Sequence, residues 1–315
     1  MDHAPITLEH AAVRRALDHI DAVQTMRALF VELGEGQAVQ PPQTVTEFPQ
    51  GGDFITYLGA LGKAGVFGAK LSPYLPQENG ALITAWTVLM SMQSGTPLAM
   101  LDAGALTTER TAATTALAVD HLAATGRAFT LAIIGTGAIA QAHLRYVAPL
   151  RDWNSIRVYS PSLAANTDLQ NTWHALDPRV QSAPDAAKTV DNADVVMLCT
   201  SSGTPVIDTT LLKLGCLVTS ISTNVAQAHE VDPAFLPLAD VYCDYRQTTP
   251  SSAGEMVIAQ RDHGWSPSDI CGDLADLAVG RCAKPSGQRP VFFRSIGLGL
   301  EDIAIAHAIY QQARP

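Results

Sequence analysis

Basic residues are scarce in this chain. Against 30 Asp and Glu there are 20 Lys and Arg, for a formal net charge of −10. No Lys/Arg cluster or aromatic-basic stripe suits a phosphate backbone, so nucleic acid is excluded as an expected partner. Long apolar runs are missing too: no uninterrupted stretch reaches the roughly 20 residues that a membrane-spanning helix needs. The N-terminus, MDHAPITLEHAAVRRALDHI, carries acids where a secretory signal would be basic. The five cysteines, Cys199, Cys216, Cys243, Cys271 and Cys282, are odd in number and have no CxxC spacing. Two of them lie in apolar runs, as buried reduced thiols do, and a cytoplasmic compartment is expected. There is no GxSxG or Cys-His nucleophile arrangement. His229 and His307 stand alone, without metal-ligand spacing, and read as structural or surface residues, so no metal is expected. No internal repeat or low-complexity tract interrupts the chain.

What is abundant is apolar. Hydrophobic residues make up 47% of the 315 positions and charged ones 16%, enough for two domains with their own cores and for some apolar surface to face another subunit. Ile20, Val23, Met26, Ala28, Leu29, Phe30 and Leu33 are spaced for one buried helix face, stopped by Gly34 and Gly36. From Val39 to Pro76 the texture changes to TVTEF, FITYLGAL and VFGAKL, separated by turn residues, which predicts a small and mostly antiparallel sheet. Residues 81–101 predict two strands joined by a hairpin turn at Gln93 to Thr96. LTTERTAATTALAVDHLA predicts a helix with Thr107 or Thr108 as N-cap and Glu109 and Arg110 in its first turn, closing before Gly126. Beyond Gly126 the pattern alternates: TLAIIG, SIRVYS, ADVVMLCTS, LVTSIST and DVYCDY read as parallel strands with helices between them. FFRSIGLGLEDIAIAHAIYQQA reads as a turn running into a helix that packs back on the first domain.

The fold class predicted is therefore α/β, a Rossmann-type doubly wound parallel sheet plus an N-terminal α+β domain completed by the C-terminal helix. The expected division is 1–124 for the first domain, 125–292 for the dinucleotide domain and 293–315 for the returning turn and helix. In IIGTGAIA, Gly135, Gly137 and Ala140 fill the three small positions of GxGxxA, directly after an apolar strand and before a helix. Gly135 permits the tight turn, Gly137 lets a pyrophosphate approach the backbone, and Ala140 lets helix and strand pack closely. Thr136, Ala138 and Ile139 complete the cofactor-binding turn.

With that turn placed, LDAGALTTERTAATTALA, IIGTGAIAQAH, ADVVMLCTSS, the HEVD at 229–232 and FRSIGLGLEDIA, in this order, resemble the ornithine cyclodeaminase/mu-crystallin family. The LTxxRTAA helix start followed by GxGxxA is the specific part of the likeness. The resemblance implies NAD(P)(H) chemistry on the Cα–N bond of an amino or imino acid, and an N-terminal domain that dimerises and holds substrate. Lys70 in GAKLSPYL and Arg110 match family substrate-binding positions, with the field of a helix N-terminus adding to the charge of Arg110. Thr84 in ALITAW falls where the family places a threonine near the substrate. Thr200 and Ser201, after the ADVVMLC strand, and Ser295 and Gly297, in a turn that approaches the nicotinamide in the family, are further cofactor-binding positions. Asp302 follows one turn into the last helix, where a helix-dipole partner is the alternative reading.

Three departures matter. Where many members carry a second carboxylate-binding arginine, QPPQT has Gln43. Six residues before Glu230, where ornithine cyclodeaminase holds the acid used in ring closure, stands Asn224, and an amide cannot deprotonate an amine. Asn224 is carried as a catalytic and cofactor-binding candidate, with a turn or capping residue as the alternative. At the end of the second Rossmann strand, 25 residues after Gly135 (160 − 135), Ser160 replaces the acid that would bind the NAD ribose, which removes a barrier to the 2′-phosphate of NADP. Arg157 and Ser162 are candidate phosphate contacts there. NADP(H) is favoured, with NAD(H) open.

The expected function is an oxidoreductase interconverting an amino acid and its imino or 2-oxo counterpart. Hydride transfer is at Cα, with Lys70 and Arg110 on the substrate carboxylate and Lys70 or a water relaying protons. SISTN, CDYRQTTP and GWSP are similar to the L-arginine dehydrogenase branch, in which Asp244 or Glu255 would meet a cationic side chain. The alternatives are ornithine cyclodeaminase, a cyclic ketimine (pyrroline-2-carboxylate) reductase, and a non-catalytic NADPH-binding protein of mu-crystallin type. A homodimer acting on a small molecule, without membrane partners, completes the expectation.

Overall fold

The computed structural model describes residues 4–77, 80–125, 129–222 and 227–314. They form two compact units, one of residues 1–111 and 297–315, the other of residues 112–296. The division falls inside a helix, earlier in the chain than the loop near residue 124 that the sequence suggests as a boundary.

The first unit is built on an eight-stranded sheet. Its strands are β1 Ile6–Leu8, β2 Ala38–Val39, β3 Thr44–Glu47, β4 Asp53–Leu61, β5 Val66–Gln77, β6 Gly80–Ile83, β7 Trp86–Ser91 and β8 Pro97–Asp102. The main order is β1-β8-β7-β5-β4-β2, with β3 added to β4 and β6 to β5, and every pairing is antiparallel except β1 with β8. β7 and β8 turn through the expected Gln93 to Thr96 segment, where Gly95 has φ +70. Alternation along β4, β5, β7 and β8 sends Tyr57, Lys70, Thr87 and Leu101 to one face, aligned in a single cross-strand row. The opposite face carries Leu58, Ala69, Val88 and Met100 as the neighbouring row.

Helix α1 His10–Leu17 and helix α2 Ala22–Gly34 follow β1. The Asp21 side chain caps α2 by accepting from Gln24 N–H at 2.9 Å, and Met26, Leu29 and Phe30 are buried as their spacing predicts. The C-terminal helix, Gly299–Ala313, packs on the sheet face that carries Lys70. Glycines make that approach close. A Cβ added at Gly59 would lie 2.7 Å from Leu300 Cα, and one at Gly299 would run into the backbone of Leu58. Gln40 fixes the start of the helix, its Oε1 accepting from Leu300 N–H at 2.9 Å.

Helix α3, Gly104–Leu122, begins earlier than the sequence reading placed it. Asp102 Oδ1 accepts from Gly104 N–H at 3.2 Å, so the Asp102-Ala103-Gly104 segment starts the helix, and Thr107 and Thr108 lie inside it. Arg110 is therefore in the second turn, beyond the reach of the helix N-terminal field invoked for it.

The second unit is a parallel sheet of β9 Phe129–Ile134, β10 Trp153–Tyr159, β11 Val180–Ser182, β12 Val195–Leu198, β13 Leu217–Ser220, β14 Asp240–Cys243, β15 Ile270–Asp273 and β16 Val291–Arg294. The order is β11-β10-β9-β12-β13-β16-β14-β15. The chain moves outward from β9 in one direction and then, from β12, in the other, which is the doubly wound topology with its switch point between β9 and β12. β9, β12 and β13 are almost wholly buried, as their continuous apolar runs require. Among the described residues no helix is long and apolar enough to cross a membrane, and no group of His, Cys, Asp and Glu is arranged to hold a metal ion.

Candidate active site

Two constellations stand out, one in each unit. The first is built on the row Tyr57, Lys70, Thr87. Lys70 Nζ lies 2.9 Å from Asp302 Oδ2, 3.4 Å from Thr107 Oγ1 and 4.2 Å from the centre of the Tyr57 ring. Arg110 donates from Nε to Asp302 Oδ1 at 3.1 Å and from Nη1 to Glu301 Oε2 at 2.9 Å. All four charged side chains are buried: Lys70 and Arg110 are 3% and 5% exposed, Glu301 and Asp302 not at all. The helix start fixed by Gln40 and Gly299 is what puts Asp302 against the lysine and Glu301 against the arginine. Asp302 is thus the bridge between the two cations, beyond the dipole partner of the sequence reading.

Two cations and two anions sum to zero, so burial is tolerated, but its burden is uneven. Burial lowers the Lys70 pKa to about 8; Asp302 opposes that shift and Arg110 adds to it. For Arg110 burial also disfavours the charge, yet Asp302 and Glu301 outweigh it and hold the guanidinium above its ordinary value. Burial raises the Tyr57 hydroxyl. The cluster therefore offers a permanently charged fork beside an ammonium that can exchange its proton near neutral pH.

Gly297, with φ +75, belongs to the same cluster, because a Cβ there would collide with the Arg110 guanidinium. Gln43 is half-buried just before β3, and its Oε1 is buried without a hydrogen-bond partner among the described residues. Thr84 lies in the break between β6 and β7 and is exposed, and no described contact joins it to the cluster. The buried threonine beside Lys70 is Thr87, whose Oγ1 has no hydrogen-bond partner among the described residues. Sequence reasoning passed over Thr87 and Tyr57, although the period-2 alternation of FITYLGAL, VFGAKL and WTVLM carries their shared face once the register is known.

The second constellation is the glycine turn. Gly135 follows β9 with φ +111, and a side chain there would collide with the Cys199 carbonyl. Gly137 precedes helix α4, Ala138–Val147, as its N-cap, with no side-chain cap and with open space where a Cβ would stand. Ala140 is fully buried against the sheet. An uncapped helix N-terminus behind an open glycine fits a pyrophosphate. α4 is anchored by His143, which bonds Ile139 O at 2.7 Å and Thr115 Oγ1 at 3.0 Å; burial takes its pKa to about 4 and keeps it neutral.

At the end of β10, Thr136 Oγ1 donates to Ser160 Oγ at 2.9 Å, and Ser160 and Ser162 hydroxyls lie 3.4 Å apart. The Arg157 guanidinium donates to Lys188 O at 2.7 Å and to Asp191 O at 2.5 Å, which leaves fewer of its N–H groups for a phosphate. Thr200 bonds Glu230, and Ser201 beside it is exposed. Ser295 is buried, its hydroxyl donating to Asp244 at 3.1 Å.

Asp244 and Glu255 are likewise unavailable to a substrate cation. Asp244 accepts from Tyr245 and Ile296 N–H groups, and Glu255 pairs with Arg294 at 2.7 Å, with Asp244, Glu255 and Arg294 all buried. His229 and His307 bond Gln227 O and Gln311 respectively. Asn224 lies outside the described residues.

Residues 4–315 match the model of the ornithine cyclodeaminase/mu-crystallin family. The NAD(P)H-dependent anabolic L-arginine dehydrogenase of Pseudomonas aeruginosa is 54% identical over 308 residues, 98% of this chain and 97% of its own length. Among solved structures, the Δ1-pyrroline-2-carboxylate reductase of Thermococcus litoralis in complex with NADH and L-proline is similar with a TM-score of 0.89 at 20% identity, covering 98% of this chain and 97% of that one. An archaeal alanine dehydrogenase dimer with bound NAD is similar with a TM-score of 0.89 at 23% identity, covering 98% and 96%. At such identities the two structures speak for the fold alone. The chain belongs to the ornithine cyclodeaminase/mu-crystallin family.

Proposed function

We propose that this member of the ornithine cyclodeaminase/mu-crystallin family is an NAD(P)(H)-dependent amino acid dehydrogenase, and specifically an L-arginine dehydrogenase. The observation that carries the substrate is the 54% identity, over almost the full length of both chains, to a relative of that activity. The geometry supplies the chemistry. Among the described residues, Arg110 has Nη2 and the second hydrogen of Nη1 left after its bonds to Asp302 and Glu301, an edge suited to a substrate carboxylate. Lys70 adds a second positive charge to that carboxylate and holds the proton that passes to or from the substrate nitrogen or oxygen, a task its lowered pKa suits. Thr87 and Gln43 present buried oxygens for substrate N–H groups. When bound, the nicotinamide supplies or accepts the hydride at substrate Cα.

The dinucleotide is held by the turn from Gly135 to Ala140, with its phosphates at the N-terminus of α4. Ser160 in place of an acid favours NADP(H) and leaves NAD(H) admissible. The apolar face of the first sheet, where Leu58, Phe67, Leu71 and Met100 are exposed, is the surface on which a homodimer would form. The five free thiols fit a reducing, cytoplasmic compartment.

The test is purified protein with NADPH or NADH, ammonium and a panel of 2-oxo acids and cyclic imines, followed by nicotinamide absorbance. Turnover highest with the 2-oxo acid of arginine supports the proposal. Preference for pyrroline-2-carboxylate would replace it with ketimine reduction, and tight NADPH binding without turnover would make the chain a binding protein. With ornithine and NAD, little proline should form, because Asn224 lacks the base that ring closure requires.

A further inference from the structure

Glu230 is a fully buried carboxylate that accepts five hydrogen bonds. Its Oε1 takes the Thr200 N–H at 2.8 Å and the Thr200 hydroxyl at 2.7 Å. Its Oε2 takes the Ser220 hydroxyl at 2.8 Å, the Ile221 N–H at 3.0 Å and the Ser222 N–H at 3.1 Å. Thr200 belongs to the loop after β12, and Ser220 to Ser222 close β13 and open the loop beyond it. One side chain therefore ties two adjacent strand exits together. Ser222 reinforces the tie by donating from Oγ to Ser202 O at 2.7 Å.

Only a carboxylate suits this position, since five donors converge on two oxygens. An ionised Glu offers acceptor sites on both oxygens and no hydrogen; an amide would turn one of them into a donor facing N–H groups. In a doubly wound sheet the two halves of a dinucleotide lie on opposite sides of the switch point, outside the carboxyl ends of the strands. Here the switch point lies between β9 and β12. The adenosine half falls to the Gly135 turn and the end of β10, and the nicotinamide half to the exits of β12 and β13, which Glu230 joins.

We propose that Glu230 is a positioning residue for the nicotinamide half of the cofactor site, holding Thr200 after β12 and Ile221 and Ser222 after β13 in one relative placement before the cofactor arrives. The proposal rests on the reading of this unit as an NAD(P)(H) site. Strand exits tied together in advance spare binding the ordering cost that loose exits would impose. None of the described hydrogen bonds of Glu230 reaches the adenosine-side groups, so its effect should be confined to one half of the ligand.

The experiment uses the full chain and compares Glu230→Gln with wild type. Each is titrated calorimetrically with NADPH and NADH and with their adenosine-side fragments, 2′,5′-ADP and 5′-AMP. The variant should bind the preferred dinucleotide about ten- to a hundredfold more weakly, as expected when buried donors lose an ionised acceptor. Its affinity for the matching fragment should be unchanged. Ser220→Ala removes a single donor and serves if the first variant does not fold; it should weaken dinucleotide binding by a smaller factor, about three to ten, again sparing the fragment. Unchanged dinucleotide affinity in the folded variant overturns the proposal. Equal loss of dinucleotide and fragment overturns it too, since that is the signature of a generally weakened domain. Wild-type protein that binds neither ligand would instead overturn the dinucleotide reading beneath it.

Discussion

Arg110→Lys separates a substrate-holding arginine from one that only braces the fold. The guanidinium satisfies Asp302 through Nε and Glu301 through Nη1, at 3.1 and 2.9 Å, with its side chain 5% exposed. A lysine keeps the charge but loses the planar fork, so one of these charge-assisted bonds is lost, at about 1.5–3 kcal/mol. Asp302 retains Lys70 at 2.9 Å, so the cluster keeps its charge balance. The loss should therefore stay below the roughly 3–5 kcal/mol of a buried pair deprived of a partner outright. At roughly 2–4 °C per kcal/mol for a protein of two such units, Tm should fall by several degrees. If the remaining edge of the fork holds the substrate carboxylate, the substitution acts again in the transition state, and kcat/KM should fall roughly ten- to a hundredfold. NADPH affinity, which the proposed function assigns to the glycine turn of the other unit, should not move. Steady-state kinetics, NADPH titration and thermal unfolding on one preparation decide the matter: a lowered Tm with unchanged kcat/KM would refute the carboxylate role and leave Arg110 as structural bracing.

Three further outcomes are expected. Gly137→Asp should abolish NADPH binding by placing a negative charge in the pyrophosphate's approach. It should not destabilise the protein, because Asp is a good N-cap for α4, so calorimetry showing intact NADPH affinity would remove the phosphate role from this turn. Substrate affinity should fall as pH rises through about 8, where Lys70 loses the proton with which it faces the carboxylate; Tyr57, Arg110, Glu301 and Asp302 are the other ionisable groups around it. Lys70→Arg, which stays protonated, should flatten that limb of the pH profile, and an unaltered limb would assign it to another group. Leu71→Glu puts a charge on the apolar outer face of the first sheet and should convert the proposed homodimer to a monomer by light scattering, whereas an unchanged dimer would place the interface elsewhere.

The parallel sheet was legible because its strands announce themselves twice, by continuous apolar runs and by the small residues of GTGAIA at the first turn. What escaped was short or set by distant partners. β16 is four residues long and ends in Arg294, whose buried charge is met by Glu255, far away in the chain, and by the carbonyls of Ser222 and Ser295. The start of α3 was misplaced because Thr107 and Thr108 are good caps in isolation, while Asp102 was hidden at the end of a strand. Lys70 and Arg110 were identified from motifs, but their charge environment was not. It comes from Glu301 and Asp302, some 190 residues beyond Arg110 in the sequence, brought in by a helix whose close approach depends on Gly59 and Gly299. Partners elsewhere in the chain, Ile296 and Arg294, also explain why Asp244 and Glu255 read as acids free for a substrate. Each looks unpaired in one dimension, and each is consumed by internal partners in three.

The central claim is hydride transfer between the nicotinamide and the Cα of arginine, and isotopic labelling tests it most directly. The protein is supplied with NADPH deuterated at C4, ammonium and the 2-oxo acid of arginine, with each C4 face labelled in turn, and the products are read by chiral chromatography and mass spectrometry. The account predicts L-arginine carrying the deuterium at Cα from one face of the cofactor only. L-arginine free of label from both faces, or label recovered only in a 2-hydroxy acid or a cyclic product, would contradict it.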